Sequence, residues 1–194
     1  AYEQVAEAGA YAPELSGEKK RKETLGEVIR ARSVLRVRLG RVYLRVGEPL
    51  KISEVVDPTE DQPAWADRSR QEHKEILQRD GERIVHRIGE VTVVTPTSPV
   101  ALGLLAHHRR GILGEELLER IDRFRLFLQR AGALEVASLE FTSQAITQAL
   151  HRLNDSRQVH SFDHHGKRVW AVDPDKRISI DFPKNQILHF FAPA

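Results

Sequence analysis

The residues of this 194-residue chain that are best suited to binding chemistry form a cationic cluster near its start. The members of this cluster are Lys19, Lys20, Arg21, Lys22 and Arg30. Residues 16–45 include ten basic and three acidic side chains, although the whole chain carries a net charge of only +2. Concentrated positive charge predicts an anionic partner, which would be phosphate, lipid headgroups or nucleic acid. The first turn of a solvent-exposed helix would explain the cationic residues 19–22 without a ligand.

The histidines lack the spacing that one common catalytic pair requires. A histidine can deprotonate an attacking hydroxyl group when a carboxylate orients its ring, and an HxxxxD motif supplies both groups. None of the nine histidines is followed by an aspartate at the fifth position. The chain also has no phosphate loop and no GxGxxG, HExxH or GxSxG motif. We therefore expect no catalytic residue within it.

A metal site is the second chemistry that the residue types raise. His160, Asp163, His164 and His165 are close in sequence, and imidazole and carboxylate groups can ligate zinc or nickel. A hairpin turn with polar side chains explains the same residues without a metal. Cysteine is absent, so there are no disulfides and no cysteine-ligated zinc. We predict neither a metal nor a cofactor.

The first third of the chain has the pattern of the end of an α/β domain. Apolar residues recur near helical spacing over residues 24–39, and Gly40 is a typical helix exit. β-Branched and aromatic residues then predict a strand over residues 41–46. A polar stretch with two prolines predicts a linker over residues 57–63.

The rest of the chain has the pattern of a mainly helical region with one hairpin. Gly81 is a candidate interruption of the first of these helices, Ser98-Pro99 a cap and first turn of the second, and His164-His165-Gly166 a hairpin turn. The predicted elements are helices over residues 67–88, 98–107, 115–130 and 141–153, strands over 159–162 and 168–172, and a short strand followed by a helix over 178–191.

The predicted fold class is an α/β remnant followed by a mainly α region with a small β-hairpin. The helices and the hairpin of this region follow one another as in a winged helix. Three helices and a hairpin over residues 99–172 follow the order of a winged helix, which often binds nucleic acid. The helix that would read DNA carries Arg152 as its one full positive charge, and the hairpin adds Lys167 and Arg168. We therefore predict a shape used for packing and no nucleic acid partner. The most apolar stretch, residues 91–106, is too short and too interrupted to span a bilayer.

Several segments resemble the C-terminal part of the glycerol-3-phosphate acyltransferase family. Tyr-Glu at positions 2–3 and the run Glu-Leu-Ser-Gly-Glu-Lys-Lys-Arg-Lys-Glu-Thr-Leu at 14–25 resemble the region after that family's fourth conserved motif. Residues 40–50 look like the following strand and its Gly-Glu-Pro turn. Residues 181–193 are similar to the C-terminal signature, where a Tyr is commoner than Pro183. Order and spacing extend the resemblance over nearly the whole chain.

The resemblance implies a reaction. Family members move an acyl group from acyl-CoA or acyl carrier protein to the sn-1 hydroxyl of glycerol 3-phosphate, which is the first step of phospholipid synthesis. The relative that acylates dihydroxyacetone phosphate shares these motifs and stays open. In the family the HxxxxD motif lies upstream of the fourth motif, inside which this chain begins. Since the chain also opens on Ala1 rather than on Met, we expect a fragment that is inactive by itself.

The resemblance also implies binding roles for the residues that match the family. Tyr2 and Glu3 match its motif for substrate or acyl-donor binding. Lys19–Lys22 and Arg30 would hold the substrate phosphate through charge-assisted hydrogen bonds. The same basic surface could hold anionic lipid headgroups.

Two domains follow from this interpretation. Residues 1–57 would be the C-terminal end of the catalytic domain, and residues 58–194 the helical C-terminal region. The expected location is the cytoplasmic face of the cell membrane, with peripheral contact. The alternative is a non-catalytic scaffold or interaction module with a winged-helix-like part, which braces a catalytic domain or mediates dimerisation.

Overall fold

The computed structural model describes residues 43–51, 53, 64–135 and 143–192 of the chain. The described residues divide into two compact units. The smaller comprises residues 44–92, and the larger comprises residues 93–192 together with Tyr43. In these residues no helix is both long enough and apolar enough to cross a membrane.

The smaller unit contains one long helix, α1 (Arg70–Glu90), preceded by a 3-10 turn at Trp65–Asp67. A capping box fixes its start: Ser69 Oγ accepts a hydrogen bond from Glu72 N at 3.3 Å, and Glu72 Oε2 accepts one from Ser69 N at 2.7 Å. The helix predicted over residues 67–88 is confirmed, and Gly81 does not interrupt it. None of its residues is buried.

The strand predicted over residues 41–46 is wrong over residues 43–46. Residues 43–50 form neither helix nor strand, and Leu44 and Val46 are each 88% exposed. β-Propensity reflects packing against neighbouring strands, and these side chains pack on none. Residues 41–42, the helix predicted over 24–39 and the linker predicted over 57–63 lie outside the described residues.

The larger unit is mainly helical and contains a small three-stranded antiparallel sheet, as the sequence predicts. The elements of the larger unit are β1 (Val93–Val94), α2 (Thr97–Leu105), β2 (Ile112–Leu113), α3 (Gly114–Arg130), β3 (Leu134–Glu135), α4 (Ser143–Asp155), β4 (Val159–His164), β5 (Lys167–Val172) and α5 (Arg177–Asn185), with 3-10 helices at Pro174–Lys176 and Leu188–Phe191. The sheet has the strand order β2-β5-β4, and a separate two-residue parallel pairing joins β1 to β3.

Helix α2 lies at the centre of this unit, and its start differs from the prediction. Ser98 does not cap the helix but lies inside it, 1% exposed, where its hydroxyl donates to Gln186 Oε1 at 3.4 Å. The chain enters the helix at Thr97, so Pro99 falls within the first turn, where a missing N–H costs nothing. Gly103 allows α3 to approach closely, because a Cβ atom there would lie 2.8 Å from Leu117 Cδ1.

Helices α3 and α4 each pack against α2 through one apolar face. Leu117, Ile121 and Leu128 of α3 are fully buried, at spacings that bring them to one face. Helix α4 buries four residues in the core cluster that also holds Leu117 and Ile121, whereas Leu128 belongs to a second cluster; the four are Ile146, Ala149, Leu150 and Leu153. The predicted bounds of both helices are met to within two residues.

The predicted hairpin is confirmed, with longer strands than predicted. His165 and Gly166 form the two-residue turn with φ values of 52° and 75°, the left-handed pattern that matches the twist of paired strands. Asp163 Oδ1 accepts a hydrogen bond from Gly166 N at 3.0 Å. Strand β5 is central in the sheet and buries Val169, Trp170 and Ala171.

The short strand predicted at the start of residues 178–191 is wrong. This segment is helix α5, followed by a 3-10 turn. Ile180 and Pro183, three residues apart on one face of α5, are both buried, and Ile187 just beyond the helix is buried as well. Burial of this face outweighs the backbone hydrogen bond that Pro183 cannot donate.

Candidate functional site

A cleft of about 550 Å³ opens in the larger unit beside the end of α2, the sheet and the start of α5. We call it the basic cleft, because its polar side chains are cationic or can become so. They are His107, Arg109, Arg110, His160 and Arg177. Its remaining lining is apolar or lacks a side chain: Leu104, Gly111, Ile112, Trp170, Ala171, Val172 and Pro174. No aspartate or glutamate belongs to the lining.

A close backbone approach positions the arginine-bearing loop of the cleft. Gly111 follows Arg110 and lies against β5, where a Cβ atom would be 2.7 Å from Val169 Cγ1 and 3.4 Å from the Trp170 carbonyl oxygen. Only glycine fits this contact without displacing its neighbours. The contact holds Arg109 and Arg110 beside the sheet, although both side chains are exposed.

The floor of the cleft is set by strand register. Ile112 of β2 pairs with Trp170 of β5, and His160 of β4 pairs with Ala171 of the same strand. Ile112 and Trp170 are 1% and 6% exposed, so the floor belongs to the hydrophobic core. Arg177 is the first residue of α5, so the positive end of that helix's dipole lies beside the cleft.

His107 is the most enclosed of the basic groups, with a side chain 11% exposed. Its Nδ1 lies 3.4 Å from Arg120 Nη2 and 3.6 Å from Glu116 Oε1, and Arg120 also donates to Glu116 at 3.1 Å. Within the described residues, Nε2 is buried and has no hydrogen-bond partner. The ring is therefore oriented from its Nδ1 side and keeps an unpaired nitrogen on the other.

The arginines of the cleft have no carboxylate partner within the part of the chain that the structure describes. Arg109, Arg110 and Arg177 make no ion pair or side-chain hydrogen bond with any residue that the structure describes. Other exposed cations of this unit do, such as Lys167, which lies 3.1 Å from Glu115 Oε2. An arrangement of free guanidinium groups suits the binding of phosphate or carboxylate anions. The lining contains no serine, cysteine or carboxylate that could act as a nucleophile or as a general base.

The site residues predicted from sequence cannot be located. Tyr2, Glu3, Lys19–Lys22 and Arg30 lie outside the described residues. Their roles stay predictions.

The four residues considered as metal ligands are dispersed along the hairpin. His160 lines the basic cleft, Asp163 accepts from the turn, and the His164 and His165 rings contact each other edge to face with centroids 4.4 Å apart. Among the residues that the structure describes, no group of three or more histidines or carboxylates is arranged to hold a metal ion.

Sequence reasoning missed the basic cleft. The run His107-His108-Arg109-Arg110 is visible in the sequence as a basic loop, and it could have been marked as a candidate. Arg177 is distant in sequence, and β4 and β5 had to be placed against β2 before the three segments could be joined.

Comparison with known proteins identifies similar sequences. A family model described as "Glycerol-3-phosphate acyltransferase C-terminal region" matches residues 11–194. The chain is 27% identical to the glycerol-3-phosphate acyltransferase of Pseudomonas putida (strain W619) over 198 residues, covering 98% of this chain and 23% of that protein. It is likewise 27% identical to that of Pseudomonas fluorescens (strain Pf-5), with the same coverage. No solved structure matches the chain. The chain thus spans about a quarter of the length of these curated relatives.

Proposed function

Because the chain belongs to the glycerol-3-phosphate acyltransferase C-terminal region family, we propose that it is part of an enzyme that acylates the sn-1 hydroxyl of glycerol 3-phosphate. The acyl donor would be acyl-CoA or acyl carrier protein, and the product would be lysophosphatidic acid, a phospholipid precursor. The match over residues 11–194 carries this proposal, because it covers almost the whole chain. Dihydroxyacetone phosphate is the alternative acceptor.

Catalysis itself would come from outside this sequence. The hydroxyl must lose its proton as it attacks the thioester carbonyl, and the thiolate then leaves. None of the nine histidines has an aspartate at the HxxxxD spacing. We therefore expect this chain by itself to transfer no acyl group.

The two domains predicted from the sequence would have different roles. Residues 1–57 would complete the catalytic domain, with Tyr2, Glu3, Lys19–Lys22 and Arg30 binding the substrate or acyl donor. Residues 58–194 would form the helical C-terminal region that supports it. Peripheral contact with the cytoplasmic face of the membrane would draw on the basic segment, at roughly 1 kcal/mol per Lys or Arg near anionic lipid.

A second candidate function is a scaffold that has a winged-helix-like part. Two observations favour this shape: the element order α2-β2-α3-β3-α4-β4-β5 and the sheet order β2-β5-β4. Helix α4 would occupy the recognition position, and Arg152 is its one Lys or Arg. A DNA-reading helix needs more positive charge than that. This part would accordingly serve protein packing rather than nucleic acid binding.

The first experiment is to sequence the source DNA upstream of the codon for Ala1. The whole encoded protein is then expressed and its acyl transfer is measured. We expect an HxxxxD motif in frame and turnover with glycerol 3-phosphate, with acyl-CoA and acyl carrier protein compared as donors. A protein that carries the motif yet acylates neither glycerol 3-phosphate nor dihydroxyacetone phosphate would refute the proposal. A start codon directly before Ala1 would favour the scaffold.

A charge variant then tests the predicted phosphate site in the active protein. Changing Lys19, Lys20, Arg21 and Lys22 together to Gln should raise KM for glycerol 3-phosphate about tenfold or more, because charge-assisted hydrogen bonds are lost. The matched control changes four exposed cations elsewhere to Gln: Lys74, Arg79, Arg123 and Arg130. An equal rise in both variants would assign the effect to net charge rather than to a site.

A further inference from the structure

We propose that the basic cleft binds an organic phosphate, meaning a phosphoryl group joined to an apolar or planar body. The proposal concerns the region of residues 104–177 and does not depend on acyl transfer. It is separate from the phosphate site predicted at Lys19–Lys22.

The cleft concentrates positive charge. Three arginines and two histidines converge on a cleft whose lining has no carboxylate. Like charges brought together repel one another, and an anion removes that repulsion. The arginines have no ion-pair partner among the described residues, so their N–H groups are available. Guanidinium groups bind phosphate through paired, charge-assisted hydrogen bonds, so a phosphoryl group is the anion that fits best.

The size of the cleft favours an anion that has an attached body. Its apolar lining includes Leu104, Ile112 and Trp170, which are at most 6% exposed and offer a ligand little uncovered area, so the volume is the stronger reason. A volume of about 550 Å³ exceeds what one phosphate needs and falls within the range typical of small-molecule sites.

His107 lines the cleft beside the three arginines. Arg120 and Glu116 hold the Nδ1 side of its ring, and Nε2 is buried with no hydrogen-bond partner within the described residues. A buried polar atom without a partner costs free energy, so a ligand that displaced the atoms covering Nε2 and paired with it would recover that cost. His107 is therefore proposed as a secondary ligand-binding residue.

The phosphoryl group has two possible sources, and the assay separates them. One is a soluble organic phosphate, for which glycerol 3-phosphate and coenzyme A are the probes. The other is a lipid headgroup, for which the probes are phosphatidylcholine vesicles with and without phosphatidic acid. Inorganic phosphate is the probe for the anion without an attached body.

The chain itself provides the reporter. It contains two tryptophans, of which Trp170 lines the cleft and Trp65 lies in the smaller unit. In a Trp65→Phe background of the full chain, fluorescence reports from Trp170. The test variant changes Arg109, Arg110 and Arg177 to Gln. The matched control changes three exposed arginines outside the cleft to Gln, namely Arg123, Arg130 and Arg152, and so alters net charge equally.

We expect saturable binding of at least one organic phosphate or of vesicles containing phosphatidic acid, and weaker binding of inorganic phosphate. The cleft variant should weaken that binding about tenfold or more, and the control variant less than about threefold. His107→Gln, which keeps a side-chain donor, should weaken it less than His107→Ala. Circular dichroism verifies that each variant is folded.

Two results would overturn the proposal. One is the absence of saturable binding to any soluble or vesicle probe. The other is an equal loss of affinity in the cleft and control variants, which would mean general electrostatic attraction. Because this assay uses no acyl donor turnover, its failure leaves the acyltransfer proposal standing, and the reverse is also true.

Discussion

Helices α1 and α3 are both long and highly charged, yet different forces hold them in place. Helix α1 carries five cations (Arg and Lys) and five carboxylates, and it buries none of its residues. Side-chain hydrogen bonds between residues four apart support it: Gln71 Nε2 donates to Glu75 Oε1 at 2.8 Å, and Gln78 Nε2 donates to Glu82 Oε1 at 3.2 Å. Helix α3 instead buries a stripe of three side chains against α2 and its neighbours.

The positions of the charged side chains, rather than their number, distinguish α1 from the basic cleft. On α1, Arg83 lies 3.4 Å from Asp80 and Arg87 lies 3.2 Å from Glu48, so these cations have carboxylate partners on a solvated face. In the basic cleft, cations come together from segments distant in sequence and meet no carboxylate in the lining. Charge that the fold leaves unopposed in a concave surface indicates a ligand, whereas charge along one helix does not.

The largest expected effect comes from breaking the packing of α3. Ile121→Ala removes a fully buried side chain and should lower the free energy of unfolding by about 2–5 kcal/mol, since it leaves a cavity. Urea unfolding followed by Trp170 fluorescence, in a Trp65→Phe background, measures the larger unit.

Leu126→Ala is the control on the same helix, because that side chain is 49% exposed. Its cost should stay below about 1 kcal/mol. Equal costs for Ile121→Ala and Leu126→Ala would contradict the claim that α3 is held by its buried stripe.

A pair of glycine substitutions should have intermediate effects of opposite sign. Gly111→Ala forces a Cβ atom to within 2.7 Å of Val169 Cγ1 and should destabilise the larger unit by about 1–3 kcal/mol. Gly81→Ala meets no atom within 4 Å in the middle of α1 and should stabilise that helix by about 0.5–1 kcal/mol.

Hydrogen exchange resolved by residue can follow both units in one sample. Amide protection should fall in β5 for Gly111→Ala and should rise in α1 for Gly81→Ala. A neutral result at Gly111 would show that the loop relaxes away from the sheet. The Trp170 reporter of the basic cleft would then be expected to change in the same variant.

Local patterns were sufficient to predict the elements whose residues interact with near neighbours in sequence. The helix predicted over residues 115–130 is α3, and the turn predicted at Gly166 joins the two strands of the hairpin. The errors occurred where tertiary context decides. Residues 43–46 have strand-like side chains but pack on no strand, and residues 178–185 use their apolar residues on a helical face.

The site could be predicted less well than the fold. The basic loop at residues 107–110 can be found from the sequence, but its meaning depends on Arg177 and His160, which the sheet brings to it. These cations come together only because the fold brings distant segments side by side. A pattern search over a short stretch of sequence cannot detect such a cluster.

The smallest expected effect tests the local bonds that hold α1. Hydrogen bonding to the Ser69 side chain, and then to its backbone N–H, holds the pKa of the Glu72 carboxyl below its ordinary value. A lowered pKa in the folded state means that ionised Glu72 stabilises the helix above its ordinary pKa. That stabilisation is lost as the pH falls through the lowered value.

Ser69→Ala should therefore destabilise α1 by about 1 kcal/mol near neutral pH and move the Glu72 titration back toward its ordinary range. Carboxyl-resolved NMR titration between pH 2 and about pH 7, with amide exchange across α1, measures both changes. Glu119→Gln on α3 is the control, since it removes an exposed carboxylate that has no part in this capping box. If Ser69→Ala leaves the Glu72 titration unchanged, the capping box is not what holds the start of α1. The side-chain hydrogen bonds further along α1 would then be what stabilises this helix, in place of the buried face that holds α3.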